Sequence, residues 1–340
     1  MYKNRHLYGF IALSITLNSW CFAQEVTRTM LLDSLRRQDV RILEHYGMDT
    51  LSTIGSRIKL IPEKLLETLM QEDGRKNYRA YMPNEKEIEL VAEYFKLLPP
   101  FTKKLLQQKL FGIYFVNNYI ANGGADFAID SKNDFYYFLI LNTNTLKKSF
   151  SDLVTSKDRS NFVDDSTGRT LALNCGDKYF GLLYILLHES AHMVDYEIQV
   201  TPYLFKEFKL LKGIDFESTA FTQNFWETLW TPKKEYKYPL WDMKSVYGLG
   251  GGAKIKLSQA EEFYDQLSKS PFCTLYASFN WGDDFAELST FYHLTEKLGQ
   301  PFEIQVFKND EVIYRYNPMA NKHVVDRIKH LDFLYSHETK

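Results

Sequence analysis

Two histidines four residues apart flank a glutamate in the run from His188 to His192 (HESAH). Side chains at positions i and i+4 lie on one face of an α-helix, so both imidazoles can point at one metal ion. Glu189 is rotated by about a quarter turn from His188, which lets its carboxylate face a solvent molecule beside the ion. Zinc with three protein ligands and one open position lowers the pKa of its water toward about 7, and a neighbouring carboxylate can accept the proton. The run therefore predicts a Zn²⁺ site with His188 and His192 as ligands and Glu189 as general base.

The residues before this run predict that its helix is buried. The stretch 180–187 (FGLLYILL) is apolar nearly all round, as expected for a helix packed on several sides. The alternative is a helix with two ordinary histidines and a solvated glutamate. Because unpaired imidazoles and carboxylates are costly in a buried helix, the metal interpretation is favoured. We expect this helix to run from 178 to about 196, with Asp177 as its N-cap.

A third protein ligand would define the class of metal site. One large class places a glycine and a third histidine three and six residues beyond the second histidine. This sequence has Asp195 and Ile198 at those positions, which excludes that class.

A pair of acids further along the chain can supply the third ligand. In the run 281–287 (WGDDFAE), Asp283 and Glu287 are four residues apart and hence on one helical face. One of them could bind zinc while the other orients a histidine from behind. A structural alternative is that Asp284 and Glu287 form a capping box at a helix start.

The run from Leu187 to Tyr196 (LHESAHMVDY) resembles the active-site helix of the gluzincin peptidases related to anthrax lethal factor and to Mlc titration factor A. In those families the recurrent form is His-Glu-Phe-(Ala/Gly)-His-x-x-Asp. Their third ligand is a glutamate that opens a Glu-x-Phe-Ala-type helix, and a tyrosine seven residues earlier stabilises the transition state. Here Tyr276 precedes Asp283 by seven residues, and the run 283–287 (DDFAE) matches the helix.

The resemblance extends over 109–340 in outline and is specific at 187–196 and 276–291. It implies a zincin-like metallopeptidase domain of the α+β class, in which a mixed sheet packs on the His-Glu-x-x-His helix and the C-terminal half is helical. The roles that it implies are these: His188, His192 and Asp283 as zinc ligands, Glu189 as general base, Tyr276 as oxyanion donor, and Asp195 as a residue that orients an imidazole or braces the helix.

The sequence departs from the family pattern in three places. Asp283 is shorter than the usual glutamate by one methylene, so either the backbone comes closer or Glu287 is the ligand. Ser190 replaces the usual phenylalanine. About ninety residues separate the two motifs, which predicts an insertion at about 197–272. Two further alternatives stay open. Tyr247 or Tyr264 could be the oxyanion donor in place of Tyr276. Asp195 could be an ordinary surface aspartate.

The rest of the chain predicts two regions. Residues 24–100 carry helical periodicity, including a helix opened at Asn84 and stopped by Pro99, and form a helical N-terminal region, either an inhibitory pro-segment or a structural cap. Residues 101–340 form the catalytic domain. Its strands are expected at 110–116 and 135–141 (LFGIYFV and FYYFLIL), with Gly123-Gly124 between them as a turn or a close approach of backbone. We also expect a surface loop at 156–169, a hairpin at 302–316 and a final helix over 320–335.

Composition and the first residues bear on location and partners. The net charge is −2 and no basic stripe is present, so neither nucleic acid nor an anionic membrane is an expected partner.

Residues 1–23 combine a basic start with an apolar stretch and small residues before Gln24, as a cleaved signal peptide does. No later segment approaches the roughly 20 apolar residues of a membrane span. Cys175 and Cys273 would remain after cleavage, as a disulfide or as two buried thiols.

These features together predict an exported, periplasmic or secreted zinc peptidase, an endopeptidase rather than an exopeptidase. A peptide or protein substrate would lie extended along the edge of the sheet. Two alternatives remain open: a zinc hydrolase acting on cell-wall peptides, and a zinc-binding interaction protein that keeps the fold without catalysis. The sequence leaves the cleavage preference and the oligomeric state undefined.

Overall fold

The computed structural model describes residues 27–202, 206–240, 243–245 and 252–336, so the predicted signal peptide lies outside the described residues. The protein belongs to the α+β class, as predicted. Its α-helices are α1 (Arg28–Arg36), α2 (Glu63–Glu72), α3 (Glu85–Leu97), α4 (Pro100–Lys109), α5 (Phe150–Arg159), α6 (Gly181–Ile198), α7 (Lys206–Lys212), α8 (Ala260–Ser268), α9 (Trp281–Tyr292) and α10 (Lys322–Val325). Its strands are β1 (Arg79–Tyr81), β2 (Leu110–Asn117), β3 (Gly123–Ile129), β4 (Phe135–Asn142), β5 (Phe162–Val163), β6 (Arg169–Asn174), β7 (Trp226–Thr228), β8 (Thr231–Pro232), β9 (Ile255–Lys256), β10 (Glu303–Lys308) and β11 (Glu311–Tyr316).

The main sheet has the strand order β1-β2-β4-β3 within the described residues. The two strands predicted from apolar runs are confirmed as β2 and β4, which pair in parallel at the centre of the sheet. Their nearly continuous apolar sequences fit strands that are covered on both faces. β1 and β3 pair antiparallel with these two strands, so the sheet is mixed.

β3 is an edge strand that the sequence analysis did not predict. It opens at Gly123, where a Cβ atom would lie 2.2 Å from Cγ2 of Ile185 on α6. Of the two expectations for the glycine pair, close approach of backbone is therefore confirmed. The far end of the β3 edge is covered, because Arg41 donates to the carbonyl of Phe127 and Ile42 forms a bridge with Ile129.

The N-terminal region is built into the domain and is not purely helical as predicted. Its residues 79–81 form β1 of the main sheet, so the helical assignment is wrong there. Helix α3 begins as predicted at Asn84, whose side chain forms a capping box with Glu87. Side chains of α1 and α3 join the core on the α6 side of the sheet, and those of α2 cover the opposite face.

Three other predictions differ from the structure. The predicted loop 156–169 begins inside α5, because its polar residues Lys157 and Asp158 are buried by tertiary contacts that a polar sequence does not indicate. Helix α6 starts at Gly181 with Phe180 as its N-cap, so the assignment of Asp177 is wrong. The predicted final helix consists of α10 and a 3₁₀ segment, Ile328–Leu334, divided where Arg327 turns into the interior.

The remaining elements complete the domain around α6. The predicted hairpin is confirmed as β10 and β11, and β10 also pairs with β6, which gives a second sheet in the order β11-β10-β6. Its turn uses Asn309 and Asp310 at φ of 49° and 68°, the left-handed conformation that tight hairpin turns require. Across the part of the chain that is described, no helix combines the length and apolar character needed to cross a membrane.

Candidate metal centre

Helix α6 carries three of the predicted site residues in one turn. It is buried from Gly181 to Tyr196, so the predicted burial of this helix is confirmed. His188 and His192 are 3% and 2% exposed, and their Nε2 atoms lie 3.2 Å apart. The i, i+4 spacing therefore brings both imidazoles to one point, as the sequence predicts.

Helix α9 brings Asp283 to the same point. Asn280 caps the helix by accepting a hydrogen bond from the Asp283 backbone N–H at 2.9 Å, and its own amide donates to Oδ2 of Asp283 at 2.5 Å. The other carboxylate oxygen, Oδ1, lies 3.7 Å from Nε2 of His188 and 3.5 Å from Nε2 of His192. The N-cap thus orients the carboxylate so that one oxygen faces the histidine pair.

These three atoms fit a zinc ion. Tetrahedral ligands at ~2.1 Å from zinc would be separated by about 3.4 Å. The separations among His188 Nε2, His192 Nε2 and Asp283 Oδ1 are 3.2, 3.5 and 3.7 Å. A point near the centre of this triangle is roughly 2 Å from each atom, the length of a bond to zinc. Among the described residues, these three form a buried group of His and Asp side chains whose ligand atoms lie close enough together to hold a metal ion.

Two buried carboxylate oxygens support the same fit. Within the described residues, Oδ1 of Asp283 and Oε2 of Glu189 have no hydrogen-bond donor. Burial of an ionised oxygen without a partner is costly, and a divalent cation is the partner that would relieve it. The donor set of two imidazoles and one carboxylate is typical of catalytic zinc.

Glu287 lies behind His188, away from the triangle. Its Oε1 is 2.9 Å from Nδ1 of His188, whereas Oδ1 of Asp283 faces Nε2. The ring N–H does not point along the line to Oε1, so the attraction is mainly electrostatic. Thr274 donates to the second oxygen of Glu287 at 2.7 Å. Of the two acids predicted from spacing, the geometry puts Asp283 at the metal position and Glu287 behind the ligand.

The electrostatic environment separates the two histidines. Burial lowers the pKa of His188, but the carboxylates of Asp283 and Glu287 outweigh burial and raise it to about 9. Burial dominates at His192 and lowers its pKa to about 4. Burial opposes ionisation of Glu287, yet its contact with the ammonium of Lys157 holds the pKa of that carboxyl well below its usual range.

Glu189 lies beside the triangle, next to the opening of β3. Its carboxylate is hydrogen-bonded to the backbone of Ala125, and a Cβ atom at Gly123 would be 3.5 Å from its Oε1. The edge of the sheet therefore aligns the carboxylate. Burial raises its pKa to about 7.

Replacing Gly123 with Ala is expected to destabilise the protein by about 1–3 kcal/mol, because the added methyl would overlap Ile185 and force β3 away from α6. The free energy of unfolding from urea titration measures this effect. Gly55→Ala is the matched control, since its Cβ would meet only an ordinary contact, Cγ2 of Ile88 at 3.4 Å. Equal stability of the two variants would contradict the close approach.

Tyr276 packs on His188. It lies in the 3₁₀ turn Tyr276–Ser278, and its ring stacks on His188 with centroids 5.6 Å apart. Of the alternative tyrosines, Tyr264 is excluded because its buried hydroxyl donates to Asp158 at 2.8 Å. Tyr247 lies outside the described residues.

Asp195 braces the end of α6. Its two oxygens accept hydrogen bonds from the backbone N–H and the hydroxyl of Thr201, each at 2.6 Å. These bonds fix the chain where α6 ends, at Gln199 in the left-handed conformation with φ of 61°. Of the roles predicted for Asp195, the helix brace agrees with the structure, and the surface alternative is wrong because only 5% of the residue is exposed.

Asp284 does not act as an N-cap and does not face the metal position. Its carboxylate forms two hydrogen bonds with Arg327, at 2.8 and 2.6 Å, and accepts another from the indole of Trp226 at 2.8 Å. The capping box predicted for Asp284 and Glu287 is wrong, because Asn280 occupies the cap. The aspartate instead ties the start of α9 to Arg327 in the C-terminal segment and to Trp226 on β7.

Sequence reasoning missed two residues that support the site. Asn280 could have been found, because asparagine is a favoured N-cap and stands three residues before Asp283. Lys157 carried no comparable signal, since it lies on α5 in a stretch that the sequence assigns to a loop.

Cys175 and Cys273 are buried free thiols. The alternative of two buried thiols therefore agrees with the structure, and the disulfide does not. Burial raises the pKa of both thiols well above the usual value. Neither is suited to act as a nucleophile.

No family model, curated protein or solved structure matches this chain.

Proposed function

We propose that the protein is a zinc-dependent peptidase with a zincin-like fold, in which His188, His192 and Asp283 bind the metal. The observation that carries this proposal is the triangle of three donor atoms with 3.2–3.7 Å sides beside the buried carboxylate of Glu189. Zinc in such a site supplies Lewis acidity toward a carbonyl oxygen and lowers the pKa of bound water.

Glu189 is the proposed general base and then the general acid. Its Oε2 has no hydrogen-bond donor in the described structure, and the backbone of Ala125 holds the carboxylate in place. An attacking water would give its proton to this oxygen, and the same oxygen would deliver the proton to the leaving amine. Tyr276 is the proposed donor to the oxyanion, supported by its position against His188.

The opening of β3 is the proposed binding edge for an extended peptide. The backbone N–H of Asn142 donates to the carbonyl of Asn122 at 2.9 Å. Because backbone groups alternate along an antiparallel strand, the N–H and carbonyl of Gly123 and the carbonyl of Ala125 point away from β4, while the N–H of Ala125 donates to Glu189. These groups lie beside Glu189, where a bound strand would bring its scissile bond.

Incubation with a mixed peptide library, read by mass spectrometry, tests the reaction. We expect one equivalent of bound zinc, cleavage within peptides rather than at their ends, loss of cleavage on chelation, and recovery on adding zinc. Peptidoglycan fragments tested in parallel distinguish a cell-wall substrate. A zinc-loaded protein that cleaves neither substrate would support the interaction protein instead, and a protein that binds no zinc would refute the site.

We also propose that residues 1–23 direct export, on the basis of their sequence alone. Expression of the full chain followed by N-terminal sequencing of the mature protein tests this. A mature protein that begins at Gln24 is expected, whereas a cytoplasmic protein with an intact N-terminus would refute it.

A further inference from the structure

We infer that Lys157 is a positioning residue of the metal centre, which acts through Glu287 to hold His188 in its metal-facing orientation. This inference rests on the proposed metal site and extends it to a residue on α5 that binds neither metal nor substrate.

Lys157 is an ammonium group in the protein interior. Only 3% of its side chain is exposed, and its Nζ lies 3.1 Å from Oε1 of Glu287, which is itself 0% exposed. The same Nζ donates a hydrogen bond to the hydroxyl of Tyr184, which also donates to Glu287. It lies 4.5 Å from the ring centroid of Tyr184 and 4.2 Å from that of Tyr276. Through these contacts one cation joins α5, α6, α9 and the turn that carries Tyr276.

The contact passes from Lys157 to the metal ligand through a single carboxylate. Oε1 of Glu287 contacts the ammonium on one side and Nδ1 of His188, at 2.9 Å, on the other. A carboxylate favours a proton on the ring nitrogen that faces it, so in the neutral ring that a metal ion requires, Nδ1 carries the hydrogen and Nε2 keeps its lone pair. That lone pair faces His192 and Asp283.

The geometry also explains why this carboxylate needs a cation. A buried carboxylate without a compensating charge would be costly, and removal of one partner of a buried pair leaves the other uncompensated. Tyr184 and Thr274 supply neutral donors to Glu287, whereas Lys157 supplies positive charge. Without Lys157, the carboxylate of Glu287 would lose the contact that fixes Oε1 against Nδ1 of His188, and the ring would lose the group that orients it.

Zinc affinity of Lys157→Met, measured at fixed pH by competition with a chromophoric chelator, tests the inference. We expect a 10–100-fold weaker affinity, the usual effect of changing a partner of a metal ligand. The absorption spectrum of the Co²⁺ form is a second readout and should shift with the changed His188 geometry. Lys212→Met is the matched control, because Lys212 is also a largely buried lysine, 3.5 Å from the carboxylate of Glu197 and 4.4 Å from the ring centroid of Phe135. Its zinc affinity should stay within about threefold of that of the unchanged protein, which is less than the loss expected when a partner of a metal ligand is changed.

A double-mutant cycle with Glu287→Gln keeps the test decisive if Lys157→Met does not fold. Removing both charges leaves no unpaired ion, so the double variant should fold. We expect the double variant to bind zinc no more weakly than Glu287→Gln, because Lys157 acts through Glu287 and its unpaired ammonium in the single variant opposes a dication. A further tenfold loss in the double variant, unchanged affinity of Glu287→Gln, or a folded Lys157→Met that binds zinc like the unchanged protein would overturn the inference. Because the readout is metal affinity, the result stands whether or not peptide cleavage is found.

Discussion

Replacement of Glu189 with Gln is expected to reduce peptide cleavage by about 10²–10⁴-fold while zinc still binds. Gln has nearly the same shape and can still accept the hydrogen bond from the backbone of Ala125. It cannot accept a proton from water at neutral pH. The loss should therefore appear in kcat, while bound zinc, measured by elemental analysis, stays at one equivalent.

Glu197→Gln is the matched control for this prediction. It makes the same substitution near the end of the same helix, where Glu197 pairs with Lys109 and Lys212 at 3.4 and 3.5 Å. Its activity should change little because none of these residues contacts the proposed ligands. Cleavage by Glu189→Gln at the rate of the unchanged protein would refute the general-base role. Loss of zinc from that variant would instead make Glu189 a ligand.

The charges around the site favour a divalent ion. Four carboxylates are buried there, and two of them have their own cation: Glu287 pairs with Lys157, and Asp284 pairs with Arg327. The other two, Asp283 and Glu189, each present an oxygen without a hydrogen-bond donor in the described structure. When both are ionised, a dication between the histidines would balance their charge. In the proposed function the inner acids serve metal binding and catalysis, while the paired acids support the elements that hold them.

Local spacing was enough to predict the inner part of this site. The two histidines were predicted because four residues on a helix return to the same face, and this holds wherever the helix packs. The same rule put Asp283 and Glu287 on one face of α9. The sequence left open which of them faces the metal, because that depends on the rotation of α9 relative to α6. In the structure, the cap at Asn280 and the contact with Lys157 determine it.

Long-range packing explains what the sequence could not predict. Lys157 and Asp158 looked solvated because they are charged, and their burial results from partners more than 100 residues away, Glu287 and Tyr264. β3 was missed because its glycines indicate a turn, whereas here they allow α6 to approach the sheet. Both the burial of Lys157 and Asp158 and the role of the β3 glycines depend on contacts between elements that are distant in the sequence, so local sequence patterns do not indicate them.

Replacement of Asp283 with Asn is expected to weaken zinc binding on the order of 10³-fold, more than the 10–100-fold expected for a residue behind a ligand. Asn keeps the shape of the side chain and can still interact with Asn280 at the cap. It removes the negative charge from the atom that lies 3.5 and 3.7 Å from the two Nε2 atoms. At a zinc concentration 100 times the Kd of the unchanged protein, bound metal stabilises that protein by about 2.7 kcal/mol. A 10³-fold weaker site would gain less than about 0.1 kcal/mol, so the zinc-dependent rise in Tm should disappear.

The order of the effects at positions 283 and 287 decides which acid is the ligand. We expect Asp283→Asn to lose the zinc-dependent rise in Tm and Glu287→Gln to keep part of it. Asp265→Asn is a suitable control, because that exposed acid pairs with Lys269 at the end of its own helix and should keep the full rise. The opposite order would mean that Glu287 binds the metal. Since Glu287 faces Nδ1 of His188, that outcome would require His188 to coordinate through its other nitrogen and α9 to turn relative to α6.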